Sequence, residues 1–317
     1  MKKTKVVVTG GAGFIGSHIV EHWINAGAEV HIIDNLRSGF LSNVQLFAQA
    51  IFHEISITER EKVFNVLENA DYVHHLAAMI SVPESVDKPQ ECVEINVNGL
   101  LNVLDACEEH GVKKIVLSSS AAIYGENPES PKRTDMRPQP KSPYGITKLD
   151  GEYYLQMYNE QFGLGAVSLR YFNVFGPRQD PKSQYAAAVP IFIEKAMSNE
   201  AITIYGDGEQ TRDFIFVKDV VKANVLAVTT ENVNGIFNVA LGKATSINQI
   251  AKSVIDLIGS KSEIIYQPER KGDIKHSLAS VEETNKAFSF TPEFSLEIGM
   301  SETVAFFRKK IEESSAK

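Results

Sequence analysis

The sequence predicts an α/β fold, a doubly wound parallel sheet followed by a smaller α/β region. Short β-branched runs such as Lys5–Thr9 alternate with longer amphipathic segments, as buried parallel strands alternate with crossover helices. A glycine-rich turn joins the first strand to the first helix. The chain has 317 residues, enough for one large or two ordinary domains with a buried core.

The alternation continues in order along the chain. Strands are predicted at 5–9, 29–33, 50–54, 71–76, 114–118, 166–171, 202–205, 214–217, 236–239 and 263–266. Helices are predicted at 14–26, 59–67, 89–110, 144–162, 190–198, from 218 onward and at 246–257. The segments around 213–242 are expected to return to the first domain, which otherwise spans 1–172. The second domain then comprises 173–212 and 243–317.

The turn after the first strand predicts a dinucleotide site of the Rossmann type. Gly10, Gly13 and Gly16 let the backbone approach a pyrophosphate at the positive end of the following helix. Asp34 ends the second strand 24 residues after Gly10, where a carboxylate accepts hydrogen bonds from a ribose diol. The carboxylate would repel a 2′-phosphate, which favours NAD over NADP, although Arg37 lies close by. Asp34 could alternatively be an ordinary turn residue.

A tyrosine and a lysine stand four residues apart behind Pro143, where a helix can begin. Tyr144 and Lys148 therefore share one helix face. A free tyrosine ionises near pH ~10, and a nearby cation favours its phenolate. A chance pairing on a helix is the alternative. Ser118–Ser120 follow the predicted fifth strand, at the sheet edge where ligands bind.

Composition excludes several function classes. A net charge of −8 argues against a broad nucleic-acid or anionic-membrane surface. No stretch approaches the ~20 apolar residues of a membrane span. Cys92 and Cys107 form neither a disulfide framework nor a metal spacing, and no signal peptide is recognisable, so a reducing cytoplasm is expected. His74 and His75 point to opposite faces of a strand, so no shared metal is expected.

At this point the sequence resembles the extended short-chain dehydrogenase/reductase superfamily, and more closely its UDP-hexose 4-epimerase branch. The resemblance covers almost the whole chain in the right order. Its motifs are TGGAGFIGSH (9–18), DNLRSG (34–39), HLAA (75–78), NVNG (96–99), SSSAAIYG (118–125), SPYGITK (142–148), LRYFNVFGPRQDP (169–181) and YGDGEQTRDFIFVKDV (205–220).

The resemblance implies NAD as the cofactor and a triad of Ser120, Tyr144 and Lys148. Tyr144 would be the acid/base, Ser120 would bond the reacting hydroxyl, and Lys148 would bind the nicotinamide ribose and lower the tyrosine pKa. Cofactor contacts are implied for Gly10, Gly13, Phe14, Ile15, Gly16, Asp34, Asn35, Ser38, Gly39, Glu54, Ile55, Leu76, Ala77, Ala78, Asn96, Ser118, Tyr144, Lys148 and Tyr171. Contacts with a UDP-sugar are implied for Ser120, Tyr144, Asn173, Val189, Tyr205, Arg212, Arg270, Asp273 and Ser277.

The residues beside Ser120 bear on the type of reaction. Related dehydratases and decarboxylases place extra acids there, whereas this chain has Ala121 and Ala122, which favours simple oxidation and reduction at C4. The chain departs from the family pattern at Ile80, often a lysine, and at Glu54, more commonly an aspartate. Ser277 falls where epimerases restricted to glucose and galactose place a bulky tyrosine, so UDP-GlcNAc/UDP-GalNAc is expected, alone or beside UDP-glucose/UDP-galactose.

Two rival functions remain open at this stage: a dehydratase or net oxidoreductase acting on a nucleotide sugar, and a non-catalytic NAD-sensing protein. The resemblance also implies a homodimer in which the helices at 89–110 and 144–162 pair with their copies as a four-helix bundle.

Overall fold

A parallel sheet of seven strands forms the centre of the larger part of the molecule. The structure, a computed structural model, describes residues 3–181, 188–269 and 275–315. The strands are β1 (Lys5–Thr9), β2 (Glu29–Asp34), β3 (Ile51–Glu54), β4 (Tyr72–His75), β5 (Lys114–Ser120), β6 (Gly165–Tyr171), β7 (Asn173–Phe175), β8 (Ile202–Tyr205), β9 (Thr211–Phe216), β10 (Gly235–Val239), β11 (Ala244–Ser246) and β12 (Ile264–Gln267). The helices are α1 (Phe14–Asn25), α2 (Leu41–Gln45), α3 (Arg60–Leu67), α4 (Val82–Asp87), α5 (Pro89–Val93), α6 (Gly99–Glu109), α7 (Pro143–Phe162), α8 (Ala188–Met197), α9 (Val217–Thr229), α10 (Ile247–Ile258), α11 (Glu282–Phe288) and α12 (Leu296–Ser315).

The order of the large sheet is β10-β6-β5-β4-β1-β2-β3, and every pairing in it is parallel. This confirms the predicted doubly wound parallel sheet. Val6 and Val8 pack on the side of α1 and α9, whereas Val7 packs on the side of α3, α6 and α7. Both faces are buried, which explains why β1 is a continuous apolar run. The strand order reverses between β1 and β4, so their carboxyl ends border the crevice where such sheets bind ligands.

The remaining strands build a smaller region. Strands β11, β9 and β7 form one short sheet, and β12 pairs with β8 in another. Helices α8, α10 and α12 cover an apolar core that contains Phe175, Ile202 and Phe216. The sequence predicted that the return to the first domain begins at about 213. In the structure β9 pairs with β7 and β11 of the short sheet, whereas α9 packs against β4, β5 and β6, and β10 pairs with β6 of the large sheet.

Two predicted boundaries also need correction. The helix expected at 89–110 is interrupted by a π-helical segment, Glu94–Asn98, between α5 and α6. Strand β5 extends to Ser120 instead of ending at Ser118, and its last residues pair with Arg170 and Tyr171 of β6. Ser120 therefore has a position fixed by the sheet rather than by a loop.

Helix α7 begins and ends at residues typical of helix termini. The Ser142 hydroxyl accepts a hydrogen bond from the Gly145 N–H at 3.1 Å, and Pro143 occupies the first turn. Gly163 ends the helix at φ +73°, a conformation that glycine adopts without strain. The buried face includes Lys148, Glu152 and Leu155, at helical spacing. This face packs α7 against β5 and β6 and holds the Tyr144 turn at the sheet edge.

None of the helices in the described ranges is both long and apolar enough to cross a bilayer.

Candidate active site

A cleft of about 830 Å³ lies at the carboxyl ends of β1, β2, β4 and β5. Most of the residues to which the sequence assigned cofactor contacts line it. These are Gly10, Gly13, Phe14, Ile15, Gly16, Asp34, Asn35, Ser38, Gly39, Ile55, Leu76, Ala77, Ala78, Ser118, Tyr144, Lys148 and Tyr171. The cleft joins the glycine turn at one wall to the Tyr144–Lys148 turn at another, as a dinucleotide site beside an acid/base pair requires.

The glycine turn is shaped to receive a phosphate group. Gly13 caps α1, and a Cβ added to it would meet only the Gly10 carbonyl oxygen, at 3.1 Å. At Gly16 a Cβ would lie 2.2 Å from that same oxygen, so only glycine allows the turn and helix to approach so closely. The first N–H groups of α1 have no partners within the helix, and the residues that carry them line the cleft. These donors, with the helix dipole, suit the diphosphate of NAD.

Asp34 is held in place by backbone hydrogen bonds. Its Oδ2 accepts from the Ala12 N–H at 3.0 Å, and its Oδ1 accepts from the Leu36 N–H at 2.8 Å. Burial raises the pKa of the carboxyl, and these two backbone bonds oppose the rise. Each carboxylate oxygen keeps a lone pair for a ribose hydroxyl. The geometry therefore fits the predicted ribose role.

Two residues predicted to contact the cofactor lie elsewhere. Asn96 is buried behind the cleft wall: its Oδ1 accepts from the Met79 N–H at 2.7 Å, and its Nδ2 donates to Thr147 Oγ1 at 3.0 Å. It ties the segment after β4 to α7 and so shapes the cleft without lining it. Glu54 is exposed at the end of β3, opposite Asp34, and does not line the cleft either.

The three residues of the implied triad come together where β5 ends and α7 begins. Lys148 Nζ donates to the Ser118 carbonyl at 2.8 Å and lies 5.7 Å from the centre of the Tyr144 ring. The Ser120 hydroxyl lies near enough to the Tyr144 phenol to lower its pKa, and it accepts a hydrogen bond from the Ala122 N–H at 3.1 Å. Tyr144 and Lys148 line one end of the cleft, whereas Ser120 stands beside them without lining it.

The groups of the protein alone do not lower the pKa of Tyr144. Burial raises the pKa of Tyr144 above its ordinary value, and the nearby Ser120 hydroxyl offsets only part of the rise. Burial also lowers the pKa of Lys148 to about 8. Desolvation disfavours both charged forms. The sequence predicted that Lys148 and a cationic cofactor act together on the tyrosine pKa, and that joint effect stays a prediction.

A buried ion pair supports this end of β5 from behind. Glu152, one turn after Lys148, accepts from Arg170 Nε at 2.8 Å and from Arg170 Nη2 at 2.7 Å. The Ser119 hydroxyl donates to Glu152 Oε1 at 2.6 Å. The Arg170 guanidinium also stacks over the Tyr124 ring, 4.8 Å from its centre. This network joins α7, β5 and β6 immediately beside Ser120.

The residues predicted to contact the sugar nucleotide are more dispersed. Asn173 and Arg212 lie on β7 and β9 of the short sheet, and the Ser277 N–H donates to the Thr211 carbonyl at 3.1 Å beside Arg212. Tyr205 lines a separate pocket of about 190 Å³. The Val189 side chain is fully buried in the core of the smaller region. Arg270 and Asp273 lie outside the described residues.

The cleft also contains residues that sequence reasoning did not assign to it. They are Ile33, Leu36, Arg37, Phe40, Ser56, Ile57, Ile80, Ile95, Ser119, Arg178, Gln179 and Asp180. The last three stand inside the GPRQDP motif, which was the signal that could have identified them. Gln179 Oε1 is buried without a hydrogen-bond partner among the described residues. An acceptor left unsatisfied at a cleft wall suits a ligand donor.

The adjacent histidines of β4, His74 and His75, are not placed to share a metal ion. His75 Nδ1 lies 3.0 Å from Thr9 Oγ1, whereas Trp23 Nε1 donates to His74 Nε2 at 2.9 Å on the other face of β4. Burial lowers the pKa of both imidazoles to about 3, so both are neutral. Within the part of the chain that the structure describes, no group of three His, Cys, Asp or Glu residues is placed to hold a metal ion.

Comparison with known proteins gives a consistent result. Residues 6–240 match the model of the NAD dependent epimerase/dehydratase family. A putative UDP-glucose 4-epimerase of Methanocaldococcus jannaschii is 38% identical over 304 residues, covering 96% of this chain and 98% of that protein.

Two solved structures are similar over nearly the whole chain. The UDP-N-acetylglucosamine 4-epimerase of Methanobrevibacter ruminantium M1, in complex with UDP-N-acetylmuramic acid, is 44% identical with a TM-score of 0.93, covering 98% of this chain and 100% of that one. The UDP-glucose 4-epimerase of Thermotoga maritima, with UDP-glucose, is 41% identical with a TM-score of 0.93, covering 97% and 100%.

Proposed function

The chain belongs to the NAD dependent epimerase/dehydratase family, and on that premise we propose that it is a UDP-sugar 4-epimerase. One observation carries the proposal: Tyr144 and Lys148 line one end of a dinucleotide cleft, and Ser120 stands beside the Tyr144 phenol. The neighbouring Ala121 and Ala122 have no proton to transfer. The set of Ser120, Tyr144 and Lys148 therefore favours oxidation and reduction at C4 of the sugar over elimination of water.

The chemistry divides between cofactor and protein. NAD, when bound, supplies a reversible hydride acceptor and a positive ring charge. Tyr144 takes the proton of the C4 hydroxyl as C4 is oxidised and returns it when the transient 4-keto sugar is reduced from the other face. Ser120 holds the reacting hydroxyl. Lys148, already fixed by the Ser118 carbonyl, binds the nicotinamide ribose and adds to the positive charge that favours the phenolate.

The UDP-sugar is proposed to lie between the cleft and the smaller region. Arg212, and by resemblance Arg270, would bind the diphosphate, because a guanidinium forms paired hydrogen bonds with phosphate oxygens. Tyr205 and Asp273 would contact the uridine, and Asn173 the diphosphate. This division keeps 1–172 with α9 and β10 as the NAD domain. It assigns β9 with 173–212 and 243–317 to the substrate domain.

The small Ser277 supports UDP-GlcNAc/UDP-GalNAc as substrates, alone or beside UDP-glucose/UDP-galactose. The test incubates purified protein with UDP-GlcNAc or UDP-glucose, with and without added NAD, and identifies the products. The C4 epimer of at least one sugar is expected. If no epimer forms even with NAD supplied, the proposal fails. Loss of water, or NADH accumulating in proportion to substrate, would instead identify a dehydratase or a net oxidoreductase.

The sugar preference is tested with two variants of one position. Ser277→Tyr is expected to lower turnover of UDP-GlcNAc at least tenfold more than that of UDP-glucose, roughly the effect of a steric clash worth 1.4 kcal/mol or more. Ser277→Ala keeps the space and should leave the ratio of the two rates unchanged. Equal effects of both variants on both sugars would refute a gating role for this position.

We also propose a homodimer through a four-helix bundle of 89–110 and 144–162 with their copies. The outer face of α7 supports it, since Ile146, Tyr153 and Met157 are 48%, 56% and 37% exposed at one-face spacing. Sedimentation at micromolar concentration should give a dimer, and Tyr153→Glu should give a monomer. Leu257→Glu, on α10, is the matched control and should leave the dimer intact. A wild-type monomer would refute the proposal.

A cytoplasmic location is proposed as well. Cys92 and Cys107 are both free and buried, which suits a reducing compartment.

A further inference from the structure

Arg37 lines the cofactor cleft and joins the loop after β2 to helices α4 and α5. It lies in the loop between β2 and α2, three residues after Asp34. Its Nη2 donates to Glu84 Oε1 of α4 at 2.8 Å, and its Nη1 donates to Glu91 Oε1 of α5 at 2.5 Å. The three side chains are only 32%, 33% and 39% exposed, so the bridge is partly shielded from water. Both terminal nitrogens of the guanidinium therefore donate hydrogen bonds to carboxylates.

This arginine stands where a 2′-phosphate would need a cation. Arg37 and Asp34 line the same cleft, and Asp34 is placed for the ribose diol. A 2′-phosphorylated ribose would bring about two negative charges to the Asp34 carboxylate. Only a free cation beside it would offset that repulsion, and a guanidinium is well suited to this task. In this chain the guanidinium already has partners.

The local charge also opposes a phosphate. Lys88 Nζ lies 3.6 Å from Glu84 and 3.6 Å from Glu91, so it shares the same two carboxylates. The three carboxylates of Asp34, Glu84 and Glu91 thus lie near two cations, Arg37 and Lys88. The sum of these charges is one net negative charge. Replacing both glutamates with glutamine would leave two cations against Asp34 alone, one net positive charge, with little change in side-chain size.

We propose that Glu84 and Glu91 are specificity residues for the cofactor: by holding Arg37, they make the cleft select NAD over its 2′-phosphorylated form. The inference rests on the cofactor role of the cleft and adds to the selection by Asp34. The two glutamates act through Arg37 and do not themselves contact the nicotinamide or the sugar.

The test measures cofactor binding instead of turnover. NADH and NADPH are titrated into cofactor-depleted wild-type and Glu84→Gln/Glu91→Gln proteins, with nicotinamide fluorescence as the signal. Nucleotide released by acid after loading with an equal mixture gives a second readout. The variant is expected to improve NADPH binding relative to NADH by about 10- to 100-fold, the range for one charge-assisted hydrogen bond. Because no reaction is monitored, the result does not depend on whether the protein is a 4-epimerase.

Two control variants assign the effect to Arg37. Glu94→Gln removes the same charge from the adjoining helical segment, where Glu94 accepts from Asn98, and should leave the NADPH/NADH ratio within about twofold of wild type. Adding Arg37→Met to the double variant should abolish the gain. The proposal is overturned if both cofactors weaken equally, since the bridge would then be structural only. It is also overturned if the gain survives without Arg37, or if the ratio does not change.

Discussion

The contribution of the buried ion pair Arg170–Glu152 to stability can be tested by removing its arginine. Arg170→Met removes both hydrogen bonds to Glu152, of 2.8 and 2.7 Å, and leaves the Glu152 side chain at 0% exposure with the Ser119 hydroxyl as its remaining side-chain partner. A carboxylate buried without its cation is costly, because removing one member of such a pair destabilises a protein by about 3–5 kcal/mol.

The expected shift in melting temperature follows from the size of the chain. An unfolding entropy of about 2.1 cal/mol/K per residue gives roughly 0.7 kcal/mol/K for this chain. A loss of about 3–5 kcal/mol therefore lowers Tm by about 4–7 °C. The double variant Arg170→Met/Glu152→Met should recover most of this loss, because a well-packed apolar pair is often as stable as the ion pair it replaces.

Thermal unfolding followed by circular dichroism, with urea unfolding in parallel, measures these differences. Arg133→Met is the matched control: Arg133 is 50% exposed and lies 3.1 Å from Asp135, so its loss should cost less than about 1 kcal/mol. If Arg170→Met costs no more than Arg133→Met, or if the double variant is less stable than Arg170→Met, then uncompensated charge is not the cause.

Three further predictions concern the cleft itself. Tyr144→Phe should lower turnover by about 10²–10⁴-fold while the amount of NAD released on denaturation stays unchanged; retained turnover would remove Tyr144 from the acid/base role. Burial lowers the Lys148 pKa from 10.5 to about 8. Between pH 8 and 10.5 the unfolded chain therefore binds the Lys148 proton and the folded chain does not. The contribution of Lys148 to the free energy of unfolding thus rises with pH across that range. The urea midpoint of wild type relative to Lys148→Met should therefore rise from pH 8 to pH 9.5, and a constant difference would contradict the burial of the ammonium. Gly16→Ala would place a Cβ 2.2 Å from the Gly10 carbonyl oxygen and should cost about 1–3 kcal/mol, with loss of NAD, whereas Gly13→Ala, at 3.1 Å, should cost less in the same urea titration.

Local patterns were sufficient for most of the large sheet and for the centre of the site. The apolar run at β1, the glycine turn and the acidic end of β2 are each set by neighbours in the chain, so their spacing was informative. Tyr144 and Lys148 share a helix face whatever lies around them. The smaller region was harder, because β9 resembles a returning strand in sequence but its partners, β7 and β11, lie far from it along the chain.

By itself, the sequence determined the elements, the dinucleotide cleft and the Ser120–Tyr144–Lys148 group, since these depend on periodicity and short spacings. Only the tertiary structure decided how the site is supported and tuned. It placed Asn96 behind the wall, joined Arg37 to carboxylates 47 and 54 residues away, and partly desolvated Tyr144 so that its pKa rises. Desolvation and long-range ion pairs arise from what packs around a group, and that neighbourhood is not encoded in the residues adjacent to it in the chain.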